Sequence, residues 1–302
     1  MHQLIVDGAP PKLGGYLRSV LLPRRGFKRD TVAPSIRITR RNLRFGKEHL
    51  DEFVRLCRWR PSPRMPLMYP LMLLFHYHLG IFAHPAFPCS LRALLGYRNH
   101  VVQRRHIAVD ELLDLDVRTI GQRVLPKGVE FDFYSTLASG GKAVWESVHV
   151  YYLRGAYGGS DMRVPAAEFE ALGNVDFETR WNAPTDGKWK FAKFCGDFNP
   201  AHYYAPWARL LGFRRDFSHT QRIVADCLRR LPQKTEVTDS ESLRLDVAYK
   251  GPVYYGSPLT MKTAVQRDGY RFDLYCGEIE KPAIPGRLRI VAPDHDLLTG
   301  ST

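Results

Sequence analysis

The chain has 302 residues, 44% of them hydrophobic, and a formal net charge of +13. This length and apolar content exclude a disordered or low-complexity protein and suffice for one large domain or two of ordinary size. The charge is concentrated in Arg24-Arg25 with Lys28-Arg29, Arg40-Arg41, Arg104-Arg105, Arg214-Arg215 and Arg229-Arg230, which suits phosphorylated or acidic partners, although any single pair reads as solvated surface.

Residues 1–45, rich in basic residues and proline, read as an N-terminal arm or an extra edge element. The opening Met-His-Gln-Leu-Ile-Val-Asp-Gly has no basic segment leading into a long apolar run, so no secretory signal is expected. Residues 65–83 are the most hydrophobic stretch, but Pro66, Pro70, His76 and His78 interrupt it. A membrane span needs about 20 predominantly apolar residues, so the stretch reads as buried core and no membrane insertion is expected. His76, His78 and His84 lack zinc-site spacing and a companion Cys or carboxylate, and read as packing or surface residues.

Ser90 to Leu95, ended by Gly96, is helix-competent. Period-two alternation over 128–137 and 143–153, with Gly140-Gly141 between, predicts a hairpin, and Trp145 reads as a core or interface aromatic. The glycine-rich run from Gly155 to Met162 marks a boundary near the midpoint, leaving repeats over 46–158 and 165–302. In the second, Trp181 reads as a core or interface aromatic. The segment from Thr220 to Leu231, apolar at Ile223, Val224, Cys227, Leu228 and Leu231 and closed by Pro232, predicts a helix. Strands are expected over 242–249, 258–265 and 270–276, with Asp268-Gly269 turning between the last two. A helix followed by an antiparallel meander thus occurs twice. The fold class is α+β, each sheet wrapping its own central helix, and the helical segments weigh against an all-β sandwich.

The most informative stretch is 195–213. Asp197 and His202 flank Asn199-Pro200, which favours a turn because proline restricts its own φ and that of its predecessor. Across such a turn an acid and an imidazole converge, and together they can handle a proton near neutral pH. Gly196 allows an unusual φ or a close approach before the acid. Asn199 can hold the turn by local hydrogen bonding. Pro206 suits the first turn of a short helix capped by Gly212, with Trp207, Leu210 and Leu211 as its apolar face. Taken without its flanks, the pair reads rather as a capped turn with a buried structural histidine.

Five cysteines, Cys57, Cys89, Cys195, Cys227 and Cys276, are scattered without a CxxC pair. They fit a reducing cytoplasm better than a disulfide framework.

Gly196-Asp197-x-Asn199-Pro200-x-His202, followed by Ala208, Gly212-Phe213 and Ser218-His219, resembles the signature of (R)-specific enoyl-thioester hydratases and MaoC-like acyl dehydratases, which are hotdog-fold proteins. The first half resembles the degenerate, non-catalytic repeat of the double hotdog members, through the segment 69–71, Leu94-Leu95-Gly96-Tyr97 and Gly140-Gly141-Lys142-x-Val144-Trp145. The likeness covers roughly residues 45–291 and is strong around 189–220.

It implies reversible addition of water to a trans-2-enoyl thioester, or dehydration of a (3R)-3-hydroxyacyl thioester, by Asp197 and His202 without cofactor or metal. Asn199 would orient the pair or the substrate. Backbone N–H groups where the helix starts near His219 and Thr220 would receive the thioester oxygen. The family usually has glycine where Thr220 stands, which could narrow the thioester slot. Cys195, where serine or threonine is common, reads as a tolerated substitution rather than a nucleophile.

Within this hypothesis Arg214, Arg215 and Arg222 are candidates for contacting the phosphates of coenzyme A or an acidic acyl carrier protein. Nucleic acid is not expected, since no RNA-binding aromatic signature or helix-turn-helix pattern accompanies the charge. Two repeats in one chain would suffice for one site, and homodimerisation stays open. The competing classes are a non-catalytic acyl-thioester-binding or interaction protein and a thioester hydrolase on the same fold.

Overall fold

The first half of the chain runs through a short strand β1 (His2–Ile5), helix α1 (Leu13–Leu21), β2 (Ile36–Leu43), helices α2 (Lys47–Cys57) and α3 (Tyr69–Ala83), and then β3 (Leu94–Gln103), β4 (Leu113–Leu125), β5 (Gly128–Ser139) and β6 (Lys142–Arg154). The second half runs β7 (Phe177–Asn182), α4 (Lys188–Cys195), α5 (Ala205–Leu210), α6 (Thr220–Arg230), β8 (Ser242–Ala248), β9 (Pro258–Gln266), β10 (Gly269–Cys276) and β11 (Ile284–Val291). This is a computed structural model describing residues 2–5, 13–62, 64–163, 169–170, 172–232 and 241–298.

The eleven strands form one sheet, ordered β1-β2-β4-β5-β6-β3-β8-β11-β10-β9-β7. Its ladders are antiparallel except β1 beside β2. Leaving out β1, each half has the same order outward from the centre: β3, β6, β5, β4, β2 on one side and β8, β11, β10, β9, β7 on the other. The halves join through β3 and β8, with Asn99 opposite Val247 and Val101 opposite Leu245. The α+β class expected from the sequence is the class observed.

The hairpin over 128–153 and the strands at 242, 258 and 270 form as their alternation predicts. Three expectations need correction. The segment after Ser90 is one 3-10 turn (Leu91–Ala93) leading directly into β3, because the pairing of Leu94 and Leu95 with β6 outweighs its helix propensity. The long helix of this half is instead α3, within the hydrophobic stretch 65–83, with proline in its first turn. Only Leu73, Gly80 and Ala83 of α3 are even partly exposed. A helix apolar on every side must be enclosed, and α1 and β2 pack against this one.

Second, of the two readings of residues 1–45 the arm gives way to the edge element: β1 and β2 lie at one edge of the sheet, β2 pairing with β4 and holding the place that β7 holds in the other half. Third, Trp207, Leu210 and Leu211 do not form a buried face: all three are exposed on α5, and Ala208 is the residue that packs inward. The expected start of the second repeat at 165 lies outside the described residues. Strands β3, β4, β7 and β11 form where the sequence reading expects no strand.

One face of the sheet carries the helices. Trp145 on that face donates from Nε1 to the Leu67 carbonyl at 3.0 Å. On the opposite face, Val102, Tyr134, Val148 and Val150 pack with Leu297 of the C-terminal segment. Near the centre of that face Arg244 and Asp246 form a buried ion pair, with His100 also bonded to Asp246 and His295 to Arg244. This cover explains why strands that alternate apolar and charged residues are buried on both sides. Among the described residues, no helix is long and apolar enough to cross a membrane.

Candidate active site

The site begins where α4 ends. Gly196 caps that helix with φ of +78°, its N–H donating to the Ala192 carbonyl at 2.9 Å. A Cβ at this position would lie 2.3 Å from the ring of His76 on α3. Glycine is therefore required twice, for the left-handed backbone and for the approach of the other half's helix.

The next residues fold onto themselves. Asp197 Oδ1 accepts the Asn199 N–H at 3.1 Å, and Asn199 Oδ1 accepts the Ala201 N–H at 3.1 Å. The second bond starts one turn of 3-10 helix, Pro200–His202, with proline in its first turn. This turn carries His202 back over the acid, so that its Nε2 lies 3.5 Å from Asp197 Oδ2. The other imidazole nitrogen, Nδ1, is 3.1 Å from the Phe217 carbonyl. A carbonyl only accepts, so Nδ1 holds a proton and the neutral ring offers its lone pair at Nε2. The Tyr255 hydroxyl donates to the His202 carbonyl at 2.9 Å, anchoring this turn to the second half's sheet region.

His219, the residue before α6, stacks on His202 with ring centroids 3.9 Å apart, and its Nε2 lies 3.1 Å from the Asp197 carbonyl. The second histidine therefore braces both members of the pair. Burial drives its pKa down to about 3, with His202 adding to the effect, so it is neutral at physiological pH. For Asp197 burial acts upward, but its interactions with His202 and His219 and the Asn199 N–H outweigh it and hold the carboxyl at about 2. Across from the pair, burial also pushes His149 on β6 to about 3, against the pull of Asp197.

These shifts set an acid limit to stability. His149 and His219 bind protons more readily unfolded than folded, so their contribution is complete above the ordinary histidine value of 6.5 and is lost as pH falls from there toward 3. Each is expected to remove roughly 1 kcal/mol between about pH 6.5 and 5.5. Asp197 adds a loss only below its ordinary value of 3.8, as pH falls toward 2. Melting temperature should drop from pH 7 to 5, and less steeply in His149→Phe. A flat profile over that range would contradict the assignment of buried neutral imidazoles.

Gly196, Asp197, Asn199, His202, His219 and Thr220 all come together here. The Thr220 hydroxyl interacts with that of Tyr249 at the end of β8. Arg214 is exposed, and its backbone N–H donates to the Tyr254 hydroxyl at 3.2 Å. Arg215 lies over the Tyr254 ring and donates to Ser257 Oγ at 3.2 Å. Both flank the site on a loop.

Arg222 does not belong with them. It is 3% exposed and donates to the Leu56 carbonyl at 3.0 Å and the Asp186 carbonyl at 2.8 Å, tying α6 to α2. Its place in the first turns of an amphipathic helix turned it inward, where the Leu56 and Asp186 carbonyls and the Asp186 carboxylate, rather than phosphates, accept its hydrogen bonds. Cys195 is buried, and burial with the Asp197 charge pushes its thiol well up, which disfavours a nucleophilic thiolate.

Sequence reasoning missed the parts contributed by distant segments. They are the His76 ring against Gly196, the Phe217 carbonyl, Tyr255, His149, and Tyr16 on α1, whose hydroxyl feels the Asp197 charge. Ser218-His219 was already in register with the motif and was the one available signal for His219.

Asp197, His202 and His219 also offer ligand atoms within 4.8 Å of one another, the one such group among the described residues. His202 Nδ1 and His219 Nε2 are already engaged by carbonyls, leaving one nitrogen on each stacked ring.

The fold defines a class: the chain has the fold of the MaoC-like, hotdog-fold dehydratases. No family model matches the chain. It is 22% identical over 244 residues to 3-hydroxyacyl-thioester dehydratase X of Mycobacterium tuberculosis, covering 81% of this chain and 85% of that protein. Its structure is similar to the crystal structure of HtdX from the same organism, with a TM-score of 0.70 at 20% identity over 84% of this chain and all of that one (100%). A MaoC-like dehydratase from Phytophthora capsici is similar at a TM-score of 0.68 and 16% identity, over 86% and 95% of the two chains.

Proposed function

We propose that this protein is a hydro-lyase of the MaoC-like class, interconverting trans-2-enoyl and (3R)-3-hydroxyacyl thioesters on a double hotdog scaffold. The observation that carries this is the Asp197–His202 geometry. Asp197 Oδ2 and His202 Nε2 stand 3.5 Å apart, and with Nδ1 protonated toward the Phe217 carbonyl both atoms are acceptors. Two acceptors this close bracket a position for a group with two protons to give, and water is such a group.

In hydration, the pair removes a proton from that water as its oxygen bonds to C3 and the C2–C3 double bond opens toward C2. Charge gathers on the thioester oxygen, where the Thr220 and Gln221 N–H groups at the start of α6 are suited to receive it. The proton then returns from the pair to C2. Dehydration runs the same steps backward. Thr220 supplies a backbone N–H as glycine would, and the engagement of its hydroxyl by Tyr249 favours a side chain held aside from that role.

Incubation with trans-2-enoyl thioesters of CoA and of acyl carrier protein is expected to consume the enoyl chromophore without thiol release. Thiol release would instead indicate a hydrolase, and no turnover across chain lengths and carriers would indicate a binding protein. Dialysis against a chelator should leave the rate unchanged, because the proposed base is the same Nε2 that a metal would need; loss restored by added zinc would overturn this route.

Arg214 and Arg215 are proposed as contacts for the anionic carrier. Arg214→Glu with Arg215→Glu should raise KM for CoA thioesters by about fivefold to tenfold with little change in kcat, an effect that fades as salt rises. Steady-state kinetics at two ionic strengths would decide it, and an unchanged KM would remove both residues from the carrier site.

A further inference from the structure

The helix-bearing face of the sheet carries an unusual row beside the site. Asn99 and Gln103 on β3 and Ser147 and His149 on β6 are, respectively, 0%, 4%, 0% and 4% exposed. Asn99 is directly opposite His149, Val101 is opposite Ser147, and Gln103 is opposite Trp145. The four polar residues are thus neighbours on one face. One atom of each, Asn99 Oδ1, Gln103 Oε1, Ser147 Oγ and His149 Nε2, has no hydrogen-bond partner among the described residues. Buried polar atoms are nearly always paired, so four unpaired side by side is a pattern, not scatter.

The row continues from the proposed site. Asn99 Nδ2 donates to the Tyr249 hydroxyl, which interacts with Thr220 at the start of α6. The ring of His149 stacks on Tyr151 at 4.2 Å, and the Tyr151 hydroxyl is 2.8 Å from His78 Nδ1 on α3. His149 is also close enough to Asp197 to feel its charge. Asn99 to Gln103 spans about 13 Å at the usual rise of a strand, the length of several acyl carbons. The unpaired atoms include donors and acceptors. A saturated hydrocarbon tail laid along them would leave every one unsatisfied. A tail carrying hydroxyl or keto oxygens could pair with them.

We propose that the acyl group this protein accepts is oxygenated beyond C3, with Asn99, Ser147, Gln103 and His149 hydrogen-bonding hydroxyl or keto groups along the chain. This rests on the hydro-lyase assignment and adds to it the chemical class of substrate. The reaction supplying such a substrate would be one that extends a chain while leaving earlier oxygens unreduced.

The test uses saturated thioesters, which cannot be hydrated, so that binding is read apart from turnover. Calorimetric titration of the full chain would compare decanoyl-CoA with its 5-, 7- and 9-hydroxy derivatives. At least one hydroxy derivative is expected to bind about tenfold more tightly than decanoyl-CoA, the size of one well-made hydrogen bond. The ratio should fall to about one in His149→Phe or Ser147→Ala, and His149→Gln, which keeps donor and acceptor, should retain part of it. Circular dichroism of each variant checks the fold. If His149→Phe fails to fold, the Ser147→Ala and wild-type ratios still decide.

A ratio near one in the wild-type protein, a ratio that survives the substitutions, or no binding of any acyl-CoA would overturn the proposal. Hydration of trans-2-decenoyl-CoA, followed in parallel, separates the two claims. Turnover without preference sinks only the oxygenated substrate, whereas absence of turnover sinks the hydro-lyase assignment itself.

Discussion

Asp197→Asn is expected to lower kcat/KM for hydration of a trans-2-enoyl thioester by about a thousandfold, within the range that positioned acid–base groups contribute. The amide keeps the shape and can still accept the Asn199 N–H, so the turn should survive. What is lost is the carboxylate, held ionised at about 2, that shares the water with His202. His202→Ala removes the other acceptor and should cost a similar factor. The double variant should be little worse than either single one, because groups acting as a unit are not additive. The measurement is the initial rate of loss of enoyl absorbance, with circular dichroism as a control for folding. Either single variant keeping more than about a tenth of wild-type activity would remove the pair from its assigned role.

Gly196→Ala is expected to destabilise the protein by about 2–4 kcal/mol, combining the left-handed backbone penalty with overpacking. The methyl group would have to occupy a point 2.3 Å from the His76 ring at φ of +78°. Neither α4 nor α3 can easily withdraw, since α3 is enclosed and α4 packs against it. His76→Ala in the same chain should recover about 1–2 kcal/mol of this loss, a coupling typical of residues in direct contact. Urea denaturation of the two single variants and the double one measures it. Strict additivity would mean that the contact between α3 and the motif is not what requires glycine. Because Asp197 follows directly, any shift of the cap also moves the acid, so Gly196→Ala should lower activity in the fraction that remains folded.

Much of the site is legible in the sequence because it is local. The bonds from Asn199 to Asp197 and from Ala201 to Asn199 span two residues each, and Pro200 restricts the backbone between them. Nothing beyond the segment is needed to bring Asp197 toward His202. The hairpin across Gly140-Gly141 and the strand turned at Asp268-Gly269 are legible for the same reason. The segment after Ser90 misleads because helix propensity is weak and β6 claims its last residues. Trp207, Leu210 and Leu211 mislead because apolar spacing on a short helix does not say whether another element covers it.

By itself, then, the chain's sequence determined the class α+β, the turn, and the pairing of an acid with a histidine at its two ends. Tertiary structure alone decided which groups complete that turn. It placed the His219 ring on His202, the Phe217 carbonyl on Nδ1, the His76 ring against Gly196 and His149 of β6 within reach of the Asp197 charge, and it drew Arg222 into the interior. The physical reason is one of range. Dihedral limits and hydrogen bonds between near neighbours act within a few residues and can be read along the chain. Burial, stacking and the pairing of strands depend on what packs from far away, and take effect only once the sheet has brought the two halves together.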